Sequence, residues 1–468
     1  MKCVQKIEKI KIPQWSKFVL SMIAPFLLLY FRPLGMDFTQ SLLAAVLLLV
    51  ITWWSSNLVK KIPASCLLLV IFVVSKAAPI RTVFSFPLSE TFFLIVLSYL
   101  FSQGIENSGL PKSTLEPLLF RFVNTPLKAL LSIILVFFLT IYIIPQPLSR
   151  LIIIAGIYRN FLEKTNAPAQ TKSTILFSVF VFYVVVNMAF LDADIIMNTA
   201  SVGFAGLSMS NGEWSKYMAP PTAIFCVVVL AMMIFIFRKD VLKIRIEPLQ
   251  QDMIPAKVVM SPKDWIVVGV VVGTMILWMT SGLLGRMIGI NVNPTVVTLI
   301  GTVLLFGLKV LGKKDFKSID IATLVFLTAA FSIGGVMKAS GIADIVFSYI
   351  AGFFPKTMSL LYIAVLILVS MAMHLILGSN TTTFSVLLPG LIIVGDGFLS
   401  PEAILFICYT SLASHYILPF HSVGMMIGAA NNFFPGRNVG KLGIPLMFVI
   451  FLAIFGLYIP WWKLMGLM

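Results

Sequence analysis

Charge is what this chain lacks most. Asp, Glu, Lys and Arg make up 11% of its 468 residues, against about 25% in soluble globular domains. That deficit excludes a soluble enzyme and a disordered chain. Cysteine is sparse as well: Cys3, Cys66, Cys226 and Cys408 stand far apart, without metal-ligand spacing. They read as small apolar residues, and no disulfide framework is expected. No His-Glu-x-x-His, Gly-x-Ser-x-Gly or paired-Asp motif with the spacing catalysis needs occurs, and Gly206-Leu207-Ser208-Met209 does not supply one. A membrane-embedded enzyme therefore lacks its nucleophile or metal cluster; no catalytic residue and no resident metal is expected. The absence of a P-loop and of a large soluble segment excludes an ATP-driven pump. No cleavable signal peptide is expected, because no small-residue cleavage site follows the early lysines before the apolar run continues.

What is abundant is apolar. Hydrophobic residues reach 59% and the mean hydropathy is +1.02, as suits a chain whose solvent is mostly lipid. Basic residues outnumber acidic ones 34 to 18, for a net charge of +16. They sit between apolar runs and form no basic face interleaved with aromatics. Orienting the chain in a bilayer suits them better than nucleic-acid binding.

Uncharged runs include Phe38–Val59, Ala129–Ser149, Ser173–Leu191, Tyr217–Phe237, Trp265–Gly285, Met287–Leu308 and Leu442–Trp462. Thr357–Gly395 and Ala403–Gly436 are much longer. A helix needs about 20 apolar residues to cross the hydrocarbon core. Phe18–Phe31 and Ile62–Ser75 fall short, and short or Gly/Pro-interrupted runs predict half-helices and re-entrant helical hairpins. The expected fold is an all-α polytopic membrane protein with about eleven transmembrane helices.

Lys2, Lys6, Lys9, Lys11 and Lys17 precede the first span, which predicts a cytoplasmic N-terminus; the polar stretch Arg238–Asp264 is expected on the same side. About six crossings before that stretch and five after it place the C-terminus outside, with Tyr458-Ile459-Pro460-Trp461-Trp462 as an aromatic interfacial anchor. The expected division is 1–37 (cytoplasmic N-terminus and first helix), 38–237 (first repeat), 238–264 (cytoplasmic linker) and 265–468 (second repeat).

The two halves echo each other. Gly104-Ile105-Glu106-Asn107-Ser108-Gly109-Leu110 resembles Gly335-Val336-Met337-Lys338-Ala339-Ser340-Gly341-Ile342, and Phe-Ser precedes each, at Phe101-Ser102 and Phe331-Ser332. Each leads, at nearly the same distance, into a polar interruption: Pro145-Gln146-Pro147 and Ser379-Asn380-Thr381. Ser-Gly also marks ordinary helix ends, so the matched spacing carries the signal. Two copies with an odd number of crossings are inverted in the membrane, the signature of secondary transporters.

Ser379-Asn380-Thr381-Thr382-Thr383 interrupts the run Leu375–Pro389 and leads to Leu388-Pro389. Ser332-Ile333-Gly334-Gly335 and Ser340-Gly341-Ile342-Ala343 stand upstream, and Trp53-Trp54 and Ile62-Pro63 lie near the N-terminus. On these motifs the chain resembles the divalent-anion/sodium symporter family, carriers of dicarboxylates, citrate and sulfate, over Thr52 to Gly466. The resemblance implies a secondary active carrier of a small anion, chiefly a di- or tricarboxylate. Coupling would be to sodium or protons by alternating access, in a homodimer within the bilayer, with no cofactor beyond the co-transported ion. It implies substrate contacts from Ser379, Asn380, Thr381 and Ser422, and from Gln146, Asn198 and Thr199 in the first repeat. Ion contacts would come from Gly378, Asn380, His421 and Asp194.

The chain departs from the family pattern in two places. Pro145-Gln146-Pro147 stands where the first-repeat Ser-Asn-Thr belongs, and Met197-Asn198-Thr199-Ala200-Ser201 replaces a Gly-Thr-Pro-Pro-Asn segment. After Leu418-Pro419 the chain has His421-Ser422 and then Val423-Gly424. The resemblance then implies fewer coupled sodium ions, with a proton in the lost role.

These residue types suit the chemistry. A dianion at mid-membrane needs donors, since nothing else there solvates it. Ser, Thr and Asn offer neutral donors, and half-helix N-termini add backbone N–H groups. An unpaired Arg in an emptied site would cost about 2.5–3.5 kcal/mol on insertion scales. Ser and Thr commonly bond their own helix, so the reading leans on Asn380, which is costly to leave idle in lipid. Asp192 and Asp194 fit two readings, solvated interface carboxylates or a cation- or proton-binding pair. His374 and His415 read as packing residues, His421 as a proton or anion partner. Alternatives are a related permease for arsenite, gluconate or sulfate, a cation/proton antiporter, and a channel.

Overall fold

In the computed structural model, the described residues are 14–56, 58–141, 143–242, 244–248, 264–274, 276–277, 293–352 and 354–468. Lys2 to Lys11 and residues 249–263 of the linker lie outside them. The first helices are α1 (Gln14–Phe31), α2 (Phe38–Ser56), α3 (Lys61–Val74), α4 (Ile80–Val83), α5 (Glu90–Ser108), α6 (Leu110–Phe122) and α7 (Pro126–Thr140). Then come α8 (Pro147–Glu163), α9 (Ala169–Asn187), α10 (Met197–Phe204), α11 (Asn211–Ile236), α12 (Arg238–Val241), α13 (Asp264–Thr274) and α14 (Pro294–Gly307). The last are α15 (Ile321–Ala339), α16 (Ile342–Ala351), α17 (Leu360–Leu377), α18 (Asn380–Val394), α19 (Pro401–Ala413), α20 (Val423–Ala430), α21 (Arg437–Ala453) and α22 (Ile459–Leu464).

The chain is a polytopic α-helical membrane protein. Among the described residues no strand forms beyond one isolated bridge, Thr165 to Pro248. A chain in lipid must satisfy its backbone within each segment, which helices do. Among the described residues, five helices are long and apolar enough to cross a membrane: Ala169–Asn187, Asn211–Ile236, Ile321–Ala339, Leu360–Leu377 and Arg437–Leu464. Others, such as Pro126–Thr140 and Asn380–Val394, are shorter. The longest uncharged runs are cut by breaks, at Gly378 into α17 and α18, and after Ala413 into α19 and α20.

The chain divides into two compact units. One comprises Met1–Ser85 with Ala322–Ala351. Here α1 packs on α2 and α2 on α3. The two tryptophans point to different neighbours: Trp53 donates its indole N–H to Ser21 at 3.0 Å, while Trp54 meets Phe326 edge-on, centroids 4.7 Å apart. The Gln40 amide donates to the carbonyl of Ser340 at 2.9 Å, tying down the end of α15.

The other unit comprises Phe86–Ile321 with Gly352–Met468. Its centre is α9 and α19, the first buried from Thr174 to Asn187 and the second from Ala403 to Ala413. Against α5 lies α14, where glycines permit close approach: a Cβ on Gly104 would sit 2.7 Å from Leu305, and one on Gly301 2.9 Å from Phe101. Small residues of this kind let membrane helices pack backbone to backbone.

The order of elements repeats. Both α5 and α15 end at a Ser-Gly whose glycine is left-handed, Gly109 at φ 69° and Gly341 at φ 74°. A break then follows α7 as it follows α17, and 3-10 turns at Leu191–Asp194 and Pro419–His421 follow α9 and α19.

Of Tyr458-Ile459-Pro460-Trp461-Trp462, expected as an interfacial anchor, two aromatics pack inward against other helices. Tyr458 and Trp462 are buried. The cause lies in α11, where Pro220 and Pro221 leave the carbonyls of Lys216 and Tyr217 without their helical donors. Trp461 donates to the Lys216 carbonyl at 2.9 Å and Trp462 to that of Tyr217 at 3.1 Å.

Candidate functional site

Every residue singled out from the sequence as a contact lies in the second unit. At Gly378 the chain turns left-handed, φ 63°, and ends α17. A side chain would strain that conformation. Ser379 then caps α18, its hydroxyl accepting from the Thr382 hydroxyl at 3.1 Å and from its N–H at 3.5 Å. Thr381 is half-buried.

Asn380 differs from its neighbours. Its amide donates to the carbonyl of Ala413 at 3.4 Å, at the end of α19, and lies 3.8 Å from the sulfur of Met197. Its Oδ1 is buried with no partner. The hydroxyls of Thr410 and Ser414, flanking Ala413, are likewise buried and unpartnered. Buried acceptors nearly always have a donor or ion against them. Among the described residues these three oxygens stand without a partner near the break that follows Gly378.

All three histidines gather beside this break. The His374 Nε2 lies 3.1 Å from the His421 carbonyl and its Nδ1 lies 3.0 Å from the His415 Nδ1. A carbonyl only accepts, so His374 donates from Nε2 and its Nδ1 accepts from the His415 Nδ1–H. That leaves the His415 Nε2 an acceptor, buried without a partner. His421 accepts at Nδ1 from the Ile417 N–H at 3.2 Å. His374 and His415, which read as packing residues, are buried and bonded to each other; three histidines near one polar interruption were the available signal for the pairing.

The first-repeat residues are engaged differently. Gln146 is buried, caps α8 by accepting from the Ser149 N–H, and donates its own N–H to Ser102 at 2.9 Å. Asn198 is fully buried and spent: its amide donates to the carbonyls of Asn187 and Phe190, both at 2.9 Å, and it accepts from the Tyr409 hydroxyl at 2.6 Å. Asp194, in the turn before α10, accepts from the N–H of Met197, the first residue of that helix, at 2.9 Å; a carboxylate suits that helix end. Asp192 and Thr199 are half-buried, as is Ser422 at the start of α20. Thus Gly378, Asn380, the start of α10 and the histidines come together. Among the described residues, no hydrogen bond joins Gln146, Thr199 or Ser422 to Asn380.

Arg150 was not singled out from the sequence. It is fully buried on the first turn of α8. The signal was present: a lone basic residue between Ala129–Ser149 and the apolar Leu151-Ile152-Ile153-Ile154.

A family model described as the sodium:sulfate symporter transmembrane region matches residues 12–468. The chain belongs to this symporter family. A comparison with individually curated proteins returns no match. Membership makes it a multi-pass membrane carrier of the kind that moves small anions with sodium, and agrees with the resemblance drawn from Ser379-Asn380-Thr381. The broken helices are what distinguish such a carrier from a simple bundle: irregular backbone at membrane depth persists only where protein or a cavity covers it.

Proposed function

We propose that the protein is a secondary active carrier of a small anion, chiefly a di- or tricarboxylate, moved by alternating access with sodium or protons as the co-transported ion. The observation that carries this reading is the buried, unpartnered Oδ1 of Asn380, beside the left-handed Gly378 and the N-terminus of α18. A cation held there offsets substrate charge, while the neutral donors of Ser379, Thr381 and the helix end receive an oxyanion. The repeated element order supports two inverted repeats; a cytoplasmic N-terminus, an external C-terminus and a homodimer are part of the same proposal.

The test is uptake of labelled succinate, citrate and sulfate into proteoliposomes with sodium and proton gradients varied independently. Sodium-driven accumulation of a carboxylate supports the reading. Downhill flux of every solute with no accumulation and no counterflow would make the protein a channel.

A further inference from the structure

Arg150 lies at the other break. Its guanidinium sits in a cage of oxygens drawn from three places where the chain leaves helical form. One nitrogen donates to the carbonyls of Ile141 at 3.1 Å and Ile144 at 2.9 Å, both in the break before α8. The other donates to Oδ1 of Asn187 at 2.8 Å, at the end of α9, and to the carbonyl of Ala193, in the turn before α10. Arg150 has no exposed surface. No ion pair to it occurs among the described residues.

Carbonyl and amide oxygens converging from broken helices are the ligand set that carriers offer to a hard monovalent cation. Arginine is a permanent cation. No carboxylate among the described residues lies within ion-pair distance; Asp194, beside Ala193, acts on Arg150 through space, and the surrounding dipoles solvate the guanidinium much as they would a metal ion. The matching break at Gly378–Asn380 differs: among the described residues Asn380 Oδ1 and the hydroxyls of Thr410 and Ser414 are buried without a partner there, whereas at the first break the unpartnered atoms are donors, Arg150 Nε and Asn187 Nδ2. One break is filled by the chain's own cation; the other is open to an ion from outside.

The geometry points to Arg150 as a tethered cation that permanently occupies the ion position of the first break, confining exchangeable sodium to the second. The consequence is a carrier that binds and moves one sodium fewer than two equivalent breaks would take. This rests on the carrier reading above only for its role in transport; the occupancy itself is testable without substrate.

The first measurement is equilibrium binding of labelled sodium to the purified full-length protein. The wild type is expected to bind at most one sodium per chain, and two or more would overturn the assignment. In Arg150→Ala the vacated oxygens are expected to take a further sodium. Its thermal midpoint should then rise saturably with millimolar sodium or guanidinium chloride, but not with choline chloride, at constant ionic strength. The wild type should show no rise with guanidinium. A purely structural arginine predicts no added sodium in the variant, and that result would sink the proposal. Should Arg150→Ala fail to fold, the wild-type stoichiometry still decides. Failure of all anion uptake would count against the carrier reading and leave the sodium result standing.

Discussion

The Nδ1 atoms of His374 and His415 lie 3.0 Å apart, with both rings buried. Only one proton fits between them, and the His421 carbonyl fixes which ring supplies it. His415→Phe removes the donor and strands the His374 acceptor, at a cost of about 1–3 kcal/mol. His415→Gln can still present an N–H. The expected order of thermal midpoints in detergent is wild type, then His415→Gln, then His415→Phe. Equal losses in the two variants would mean that the pair contributes packing alone.

Asn380 is expected to set the apparent affinity. Loss of a charge-assisted bond of about 1.5–3 kcal/mol in Asn380→Ala should raise the half-saturating concentration of substrate or sodium at least tenfold. Uptake titrations of a correctly inserted variant check this. Wild-type affinity for both would remove Asn380 from the site.

Much of this was legible in the residues, for physical reasons. Lipid solvation forces long apolar runs, so the helical fold follows from composition. Left-handed helix ends favour glycine, which makes Gly109, Gly341 and Gly378 readable as breaks. What could not be read was pairing across hundreds of residues. Asn198 looks like a free donor in the chain, yet Tyr409 and two carbonyls consume it. Arg150 bounds an apolar run in the sequence, and only folding brings Asn187 and Ala193 to its fork. Nor does the chain reveal that Trp461 and Trp462, which resemble an interface anchor, donate to the carbonyls that Pro220 and Pro221 bare.

That last relationship predicts a coupling. Trp462→Phe keeps the ring bulk and leaves the Tyr217 carbonyl unpaired, costing about 1–3 kcal/mol. In a Pro221→Ala background the restored backbone N–H takes over that carbonyl, so the same change should cost less. A double-mutant cycle on thermal stability measures the difference. Additive losses would show that the indole N–H and the proline are unrelated.

The final prediction concerns acid. Asp315 stands in the polar loop between α14 and α15, outside the spans. The N–H of Gly312 donates to one carboxylate oxygen at 2.7 Å and the Asn107 amide to the other at 3.2 Å. These bonds, the first most strongly, hold its pKa below the ordinary carboxylate value. A depressed folded pKa contributes stability above the unfolded pKa, about 3.9, and loses it as pH falls through the lower folded value. Asp315→Asn should therefore be less stable than wild type at neutral pH, and the gap should close below about pH 4. Asn107→Ala removes the second donor and should narrow the gap without abolishing it, since the Gly312 N–H remains. Thermal midpoints of the three proteins between pH 3 and 7 test this, and a gap that does not change with pH would show that the Asp315 charge plays no part in holding the loop to α5.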